Sequence, residues 1–351
     1  MASEAASGAD PLDDHAVCMA DAARRRGIGT EVILATSWPL SRPKRPWLRL
    51  DVSADVYYYR SGRVLRSGHD GGLGRALNSP AHILTRNKQR TKEVLARAGF
   101  PVPPGRMFKI GALDQALVYA AEFPGELCVK PNRGGKGDLV FPRLRDADSI
   151  LEACLAVAGG YEEVLVEASV PGEVWRYFYV HPHIVAVKHS RPACVVGDGM
   201  TPVSGLIDLK NAERERSRVV GHFPIPSGPT LAAMLARQGL SLESVVPEGC
   251  RVFLQSASNG ALGADSISGT QGLHPGYGQQ VEAACRAIPG LLVAGIDTVI
   301  RNPSQPPSNE NFWILEINSS PGVLPYHYPW EGAPQDVCGE IVALLERLAA
   351  A

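Results

Sequence analysis

Two apolar runs near the end of the chain are each broken by an acidic residue, and that pattern limits what they can become. VAGIDTVIR (293–301) carries Asp297 flanked by Ile296 and Val299, and ILEINSSPG (314–322) carries Glu316 and Asn318 before Ser319, Ser320, Pro321 and Gly322 end it. Both read as strands. Strand side chains alternate faces with period two, so Glu316 and Asn318 point to one side while Ile317 packs behind them. NPSQPPSNEN (302–311) between them has the composition of a loop. The simplest arrangement is a hairpin with a long connection that brings Asp297, Glu316 and Asn318 together. Two carboxylates and an amide oxygen are the ligand set of a hard divalent cation such as magnesium, which takes phosphate oxygens and waters as its remaining ligands. Acidic residues also sit at strand edges without a function, so the trio alone leaves the metal site open.

A second constraint lies in ELCVKPNRGGKGDLVF (126–141), which reads as strand, glycine loop, strand. It lacks the G-x-x-x-x-G-K-[ST] order and the following helix of a Walker phosphate loop. Gly134, Gly135 and Gly137 still let backbone N–H groups approach phosphates closely. Lys130 stands inside the apolar strand, where an ammonium is costly unless it meets an anion. A phosphate partner and a lysine that snorkels at a strand end both account for it. GHDGGLGRALNS (68–79) reads as a flexible loop, and DLKNAERERSR (208–218) as a charged, solvated helix. Further helices are expected in AVCMADAARRRG, RNKQRTKEVLARAGF, DQALVYAAEF, TLAAMLARQG, QQVEAACRAIP and the C-terminal segment.

The chain has 351 residues, 45% of them hydrophobic and 20% charged, enough for two or three domains with a real core. Lys+Arg 35 against Asp+Glu 36 gives a net charge of -1, so no global basic field points to nucleic acid or an anionic membrane. Seven cysteines without a C-x-x-C pair fit reduced, mostly buried thiols and a cytoplasmic location. The start, MASEAASGADPLDDHAV, is unlike a secretory leader, and residues 1–14 read as a flexible tail.

The order NKQRTKEVLARAGFPVPP, CVKPNRGGKGDLVF, VLVEASVPGEVWRYFYV, GIDTV, ILEINSSPG resembles the ATP-grasp superfamily over about residues 85–330. More narrowly, RPACVVGDG, GLIDLKN, LSLESVVPEG and ASNGALGADSISGTQGLHP are similar to the ATP-grasp module of cyanophycin synthetases and bifunctional glutathione synthetases. The resemblance implies an α/β (α+β) fold in which two subdomains, 85–166 (the lid) and 167–351, clamp ATP behind a small N-terminal α/β domain at 15–84. It implies that Lys88 and Lys130 reach the nucleotide phosphates and that Gly134, Gly135 and Gly137 form a mobile lid over them. Glu167 with the backbone of Ala168 to Val170 would meet adenine, and Glu173 the ribose hydroxyls. Asp297, Glu316 and Asn318 would hold magnesium. Arg176 matches the arginine that neutralises the phosphoryl group or acyl phosphate, and Arg191 joins Lys130 and Arg176 as a candidate catalytic group.

The activity implied is an ATP-dependent carboxylate–amine ligase that works through an acyl phosphate, using ATP and two Mg2+ ions, with Mn2+ as a substitute. Its partners would be a small-molecule carboxylate and an amine, with no nucleic acid, no membrane and room for a homodimer. Gln255 and Ala261, Leu262 and Gly263 stand where the family often has an arginine and a Ser/Thr-Gly-Gly pattern, which leaves both substrates open. Two alternatives stay open: a small-molecule kinase on the same fold, and a catalytically degenerate nucleotide-binding protein.

Overall fold

A computed structural model describes residues 12–35, 44–68, 71–135, 139–217, 222–255, 258 and 260–351; Gly137 and residues 1–11 lie outside the described residues. Among the described residues, three antiparallel sheets of four or five strands and one of two strands organise the chain. The first orders β1 (Gly29–Ala35), β2 (Arg45–Val52), β3 (Asp55–Arg60), β4 (Arg63–Ser67) and β5 (Leu73–Ala76) sequentially and packs on α1 (Asp14–Arg25). DVYYYR shows the strand period directly: Tyr57 and Tyr59 enter the core with Met19 of α1, while Tyr58 turns to the other face with Trp47 and Leu65. Two expectations need correction. Asp13 and Asp14 are not part of a loose tail, because the Asp13 carboxylate caps α1 by accepting from the Ala16 N–H at 3.0 Å. The glycine-rich stretch at 68–79 is not loop throughout, because Leu73–Ala76 pairs with β4.

The second sheet follows α2 (Ala81–Thr85) and α3 (Lys88–Arg97). It comprises β6 (Gly105–Lys109), β7 (Leu127–Pro131), β8 (Phe141–Leu144) and β9 (Glu163–Ala168) in the order β6-β9-β7-β8. Two helices, α4 (Leu113–Glu122) and α5 (Ala147–Ala158), bury Ala116 and Ile150 against Val129 and Val166. The subdomain boundary expected between 166 and 167 falls inside β9, a strand of this sheet.

The largest unit contains β10 (Glu173–Val180), β11 (His183–Arg191), β12 (Cys194–Val196), α6 (Val203–Ser217), α7 (Pro229–Ala236), β13 (Arg251–Phe253), β14 (Asp265–Ser268), α8 (Gly276–Arg286), β15 (Val293–Ile300), β16 (Phe312–Asn318), α9 (Leu324–His327) and α10 (Val337–Ala349). Its main sheet runs β14-β11-β10-β15-β16, and the expected hairpin is β15–β16. One face, with Trp175, Tyr177, Tyr179 and Ile296, packs on Tyr277, Val281 and Ala284 of α8. The opposite face, with Phe178, Val180 and Ala186, packs on Ile341 of α10 and Met19 of α1. Arg176 shares the face of Phe178 and Val180 but lies beyond that apolar packing. A core face therefore becomes a charged face along a single strand.

Helix α6 is not solvated all round, as its charged sequence suggested. Lys210 and Arg214, four apart and so on one side, reach inward to Asp265 at 2.7 Å each, and Arg214 is only 3% exposed. In VVGDG, Asp198 accepts from the N–H groups of Met200 and Thr201. Gly197 there presses on the Val246 and Pro247 carbonyls, which an added Cβ would meet at 2.5 Å. That motif is a structural turn at the entry to α6. All seven cysteines are free, and only Cys250 is exposed. Among the described residues no helix is long and apolar enough to cross a membrane.

Candidate active site

Ser268, Lys188, Arg176, Asp297 and Glu316 stand opposite one another in the five consecutive strands of the main sheet. Directly opposed residues of antiparallel strands project to the same face. The sequence therefore lays two cations and two carboxylates in one line. Arg176 Nη1 lies 3.3 Å from Asp297 Oδ2, and Lys88 Nζ, from α3, lies 3.3 Å from Glu316 Oε2. Asn318 pairs with Gly295, two residues along the strand from the Asp297–Glu316 pair, and its Oδ1 accepts from the Ser320 N–H at 3.0 Å.

Burial pushes the Asp297 carboxyl up to about 6, against the pull of Arg176 and aided by the hydrogen-bonded Glu316. Burial would raise Glu316 too, but Lys88, Lys130 and Arg176 outweigh it and hold Glu316 below the usual carboxylate range. Two half-buried carboxylates in contact, with an amide oxygen beside them, fit a divalent cation, which removes their mutual repulsion. Among the described residues no group of three His, Cys, Asp or Glu side chains is placed to hold a metal. A cation here would need ligands from outside the protein, as a phosphate-bridging ion does.

Gly295 makes room for this arrangement. A Cβ at that position would lie 2.9 Å from two guanidinium nitrogens of Arg176 and 3.1 Å from Pro321. Gly295→Ala should displace the guanidinium while the sheet persists. The expected result is a loss of turnover of about 10²-fold with an unchanged circular-dichroism spectrum; full turnover would refute the positioning role.

Behind this line is a buried triad. Lys130 of β7 and Lys92 of α3 both contact the Glu167 carboxylate of β9, and all three side chains are 7% exposed or less. Burial opposes the charge on Lys130, yet Glu167 outweighs it and holds the ammonium above its usual range. For Lys92 burial wins, and its ammonium is held below the usual range despite Glu167. Glu167 is itself held low, the two ammoniums overcoming its burial. Two cations on one anion leave a net charge of +1, which suits an incoming phosphate. Lys88 also donates to the Gly134 carbonyl at 3.1 Å, tying the glycine loop to β16 through Glu316.

The other expected site residues have these surroundings. Both carboxylate oxygens of Glu167 meet lysines, whereas adenine contact was expected there. The Ala168 N–H donates to the Pro104 carbonyl at 2.8 Å, and Val170 is half-buried. Glu173 is exposed, 3.6 Å from His189 Nε2. Gly135 lies exposed in the glycine loop. Arg191 stands opposite Asp265 rather than in the charged line, and its Nη1 is 2.7 Å from Glu331. Sequence reasoning missed Lys92, Lys188 and Gly295. For Lys92 a signal exists, since it is four residues after Lys88 on one helix face.

No family model matches the chain. It is 30% identical over 331 residues to the cyanophycin synthetase of Synechocystis sp., which covers 91% of this chain and 36% of that protein. It is 32% identical over 265 residues to the glutathione biosynthesis bifunctional protein GshAB of Streptococcus thermophilus, covering 73% of this chain and 34% of that one. The chain thus spans about a third of the length of the curated relatives it matches. A crystal structure of a bifunctional glutathione synthetase from Pasteurella multocida superposes with a TM-score of 0.67 at 25% identity, over 96% of this chain and 44% of that chain.

Proposed function

We propose that this chain, which has the ATP-grasp fold and is homologous to cyanophycin synthetases and bifunctional glutathione synthetases, is an ATP-dependent carboxylate–amine ligase. The observation that carries the proposal is the line of Arg176, Asp297 and Glu316 facing Lys88 and the triad of Lys130, Lys92 and Glu167. Two anions, a carboxylate and a triphosphate, must approach each other in this reaction, so charge neutralisation and in-line positioning are the main demands.

Lys88 and Lys130 bind the phosphates, with Glu167 and Lys92 fixing Lys130. Asp297, Glu316 and Asn318 would hold Mg2+, which when bound supplies positive charge to the phosphoryl oxygens. Arg176 neutralises the transferred group. A substrate carboxylate oxygen bonds to the γ-phosphorus as the bond to the β,γ-bridging oxygen breaks, and ADP leaves with that electron pair. The amine nitrogen then bonds to the acyl carbon, its proton passes to solvent, and the C–O bond to phosphate breaks. The loop holding Gly134 and Gly135 limits water access to the acyl phosphate. The acid and amine are small molecules, the enzyme is cytoplasmic, and the resemblance leaves room for a homodimer.

Hydroxylamine tests the reading directly, because it replaces the amine and converts an acyl phosphate into a stable hydroxamate. Incubation with ATP, Mg2+ and individual carboxylic acids should release ADP and form a hydroxamate with at least one acid. ADP release with a phosphorylated hydroxyl and no hydroxamate would instead establish a kinase.

A further inference from the structure

The ligase proposed above needs a place for the acid that is activated, and the sequence motifs leave that place open. Lys188 of β11 stands in the charged line beside Arg176 and is 8% exposed. Its Nζ donates to Ser190 Oγ at 2.7 Å, and among the described residues no carboxylate makes an ion pair with it. Burial pushes this ammonium down to about 8, with Arg176 adding to the effect and Asp297 only partly opposing it. An ammonium buried without a counter-ion is unfavourable unless a ligand supplies the anion.

Lys188 lines a recess with Ser190, His222, Asp265, Ser266 and Tyr328, whose empty space, including the part open to solvent, is ≈ 370 Å³. Asp265 does not neutralise Lys188, because its two oxygens are taken by Lys210 and Arg214 at 2.7 Å each. Two cations on one carboxylate leave that wall with an excess positive charge. Trp330 lies against both, 5.3 Å from Lys210 Nζ and 5.2 Å from the Arg214 guanidinium carbon, and keeps them in place. The recess thus presents the Lys188 ammonium beside the hydroxyl groups of Ser190, Ser266 and Tyr328, and its one lining carboxylate, Asp265, is already paired with Lys210 and Arg214. That is the complement of a small organic anion.

We propose that this recess binds the carboxylic acid substrate and that Lys188 forms the ion pair with the carboxylate to be activated. The inference rests on the ligase reading. The register supports it: Lys188 faces Arg176, and Arg176 faces Asp297. A carboxylate on Lys188 would lie about one strand spacing, ~4.8 Å, from the arginine that neutralises the transferred phosphoryl.

The test compares wild type, Lys188→Met and Lys188→Arg as full-length chains. Each receives ATP, Mg2+, hydroxylamine and, one at a time, the proteinogenic amino acids and short mono- and dicarboxylic acids. In parallel, mass spectrometry follows acylation of Lys188 in the wild type with and without each acid. The expected result is a KM for the active acid raised about 30-fold or more in Lys188→Met, partial recovery in Lys188→Arg, an unchanged KM for ATP, and protection of Lys188 by the same acid. Hydroxamate formation with an unchanged acid KM would overturn this inference and leave the ligase reading standing. Protection without any ADP release would overturn the ligase reading but keep the anion site. Neither protection nor product with any acid would overturn both. An unchanged ATP KM in the variants also shows that they are folded.

Discussion

Glu316→Ala is expected to lower turnover on the order of 10³-fold while the far-ultraviolet spectrum stays that of the wild type. The side chain touches Asp297 and Lys88 and lies in the field of Lys130 and Arg176. Its removal would take away one proposed magnesium ligand and the anchor that holds Lys88 near the glycine loop. Ile314 and Ile317 of the same strand remain buried, so the sheet keeps its packing. Single-turnover ADP release is the measurement, and a fully active variant would sink the proposed site.

The largest stability effect is expected from Glu167→Gln. The substitution keeps the shape but leaves the ammoniums of Lys92 and Lys130 buried without their shared anion. Breaking a buried ion pair from one side costs about 3–5 kcal/mol, measurable as a lower midpoint in urea at constant slope. Adding Lys92→Met should recover part of that loss, because one unmatched charge disappears. The pH dependence has a defined sign. Glu167 in the folded protein is held below its ordinary value of 4.5, so its contribution is fully present above that value and lost as pH falls through the folded one. The gap between wild type and variant should be flat near neutrality and close in acid. A variant as stable as wild type at neutral pH would show that the triad contributes nothing to folding.

Much of this site is visible in local patterns. Glu316 and Asn318 share a face because of the strand period, Asp297 interrupts an apolar run, and Lys130 is conspicuous in CVKP. Lys188 is not conspicuous, since a lysine in HIVAVKHSR is equally consistent with an exposed strand position. Its burial depends on which residues oppose it, and the irregularity between Phe178 and Tyr179 sets that register. The helix holding Lys210 and Arg214 reads as solvated surface because its partner, Asp265, lies 51 residues beyond Arg214. Residues 73–76 read as loop because glycine dominates their neighbourhood, yet pairing with β4 overrides that preference.

The alternation of apolar and polar positions, the strand–glycine loop–strand, the hairpin with its acidic interruptions, and the order of motifs that resembles the ATP-grasp superfamily can all be read along the chain. These are properties of neighbours within a few residues. The folded arrangement alone puts Lys188, Arg176, Asp297 and Glu316 in one line, requires Gly295 to lack a side chain for Arg176 to lie there, and joins Glu167 to two lysines. Cross-strand register and helix docking set those contacts. Both depend on burying whole faces at once, a sum over the fold that no short segment contains.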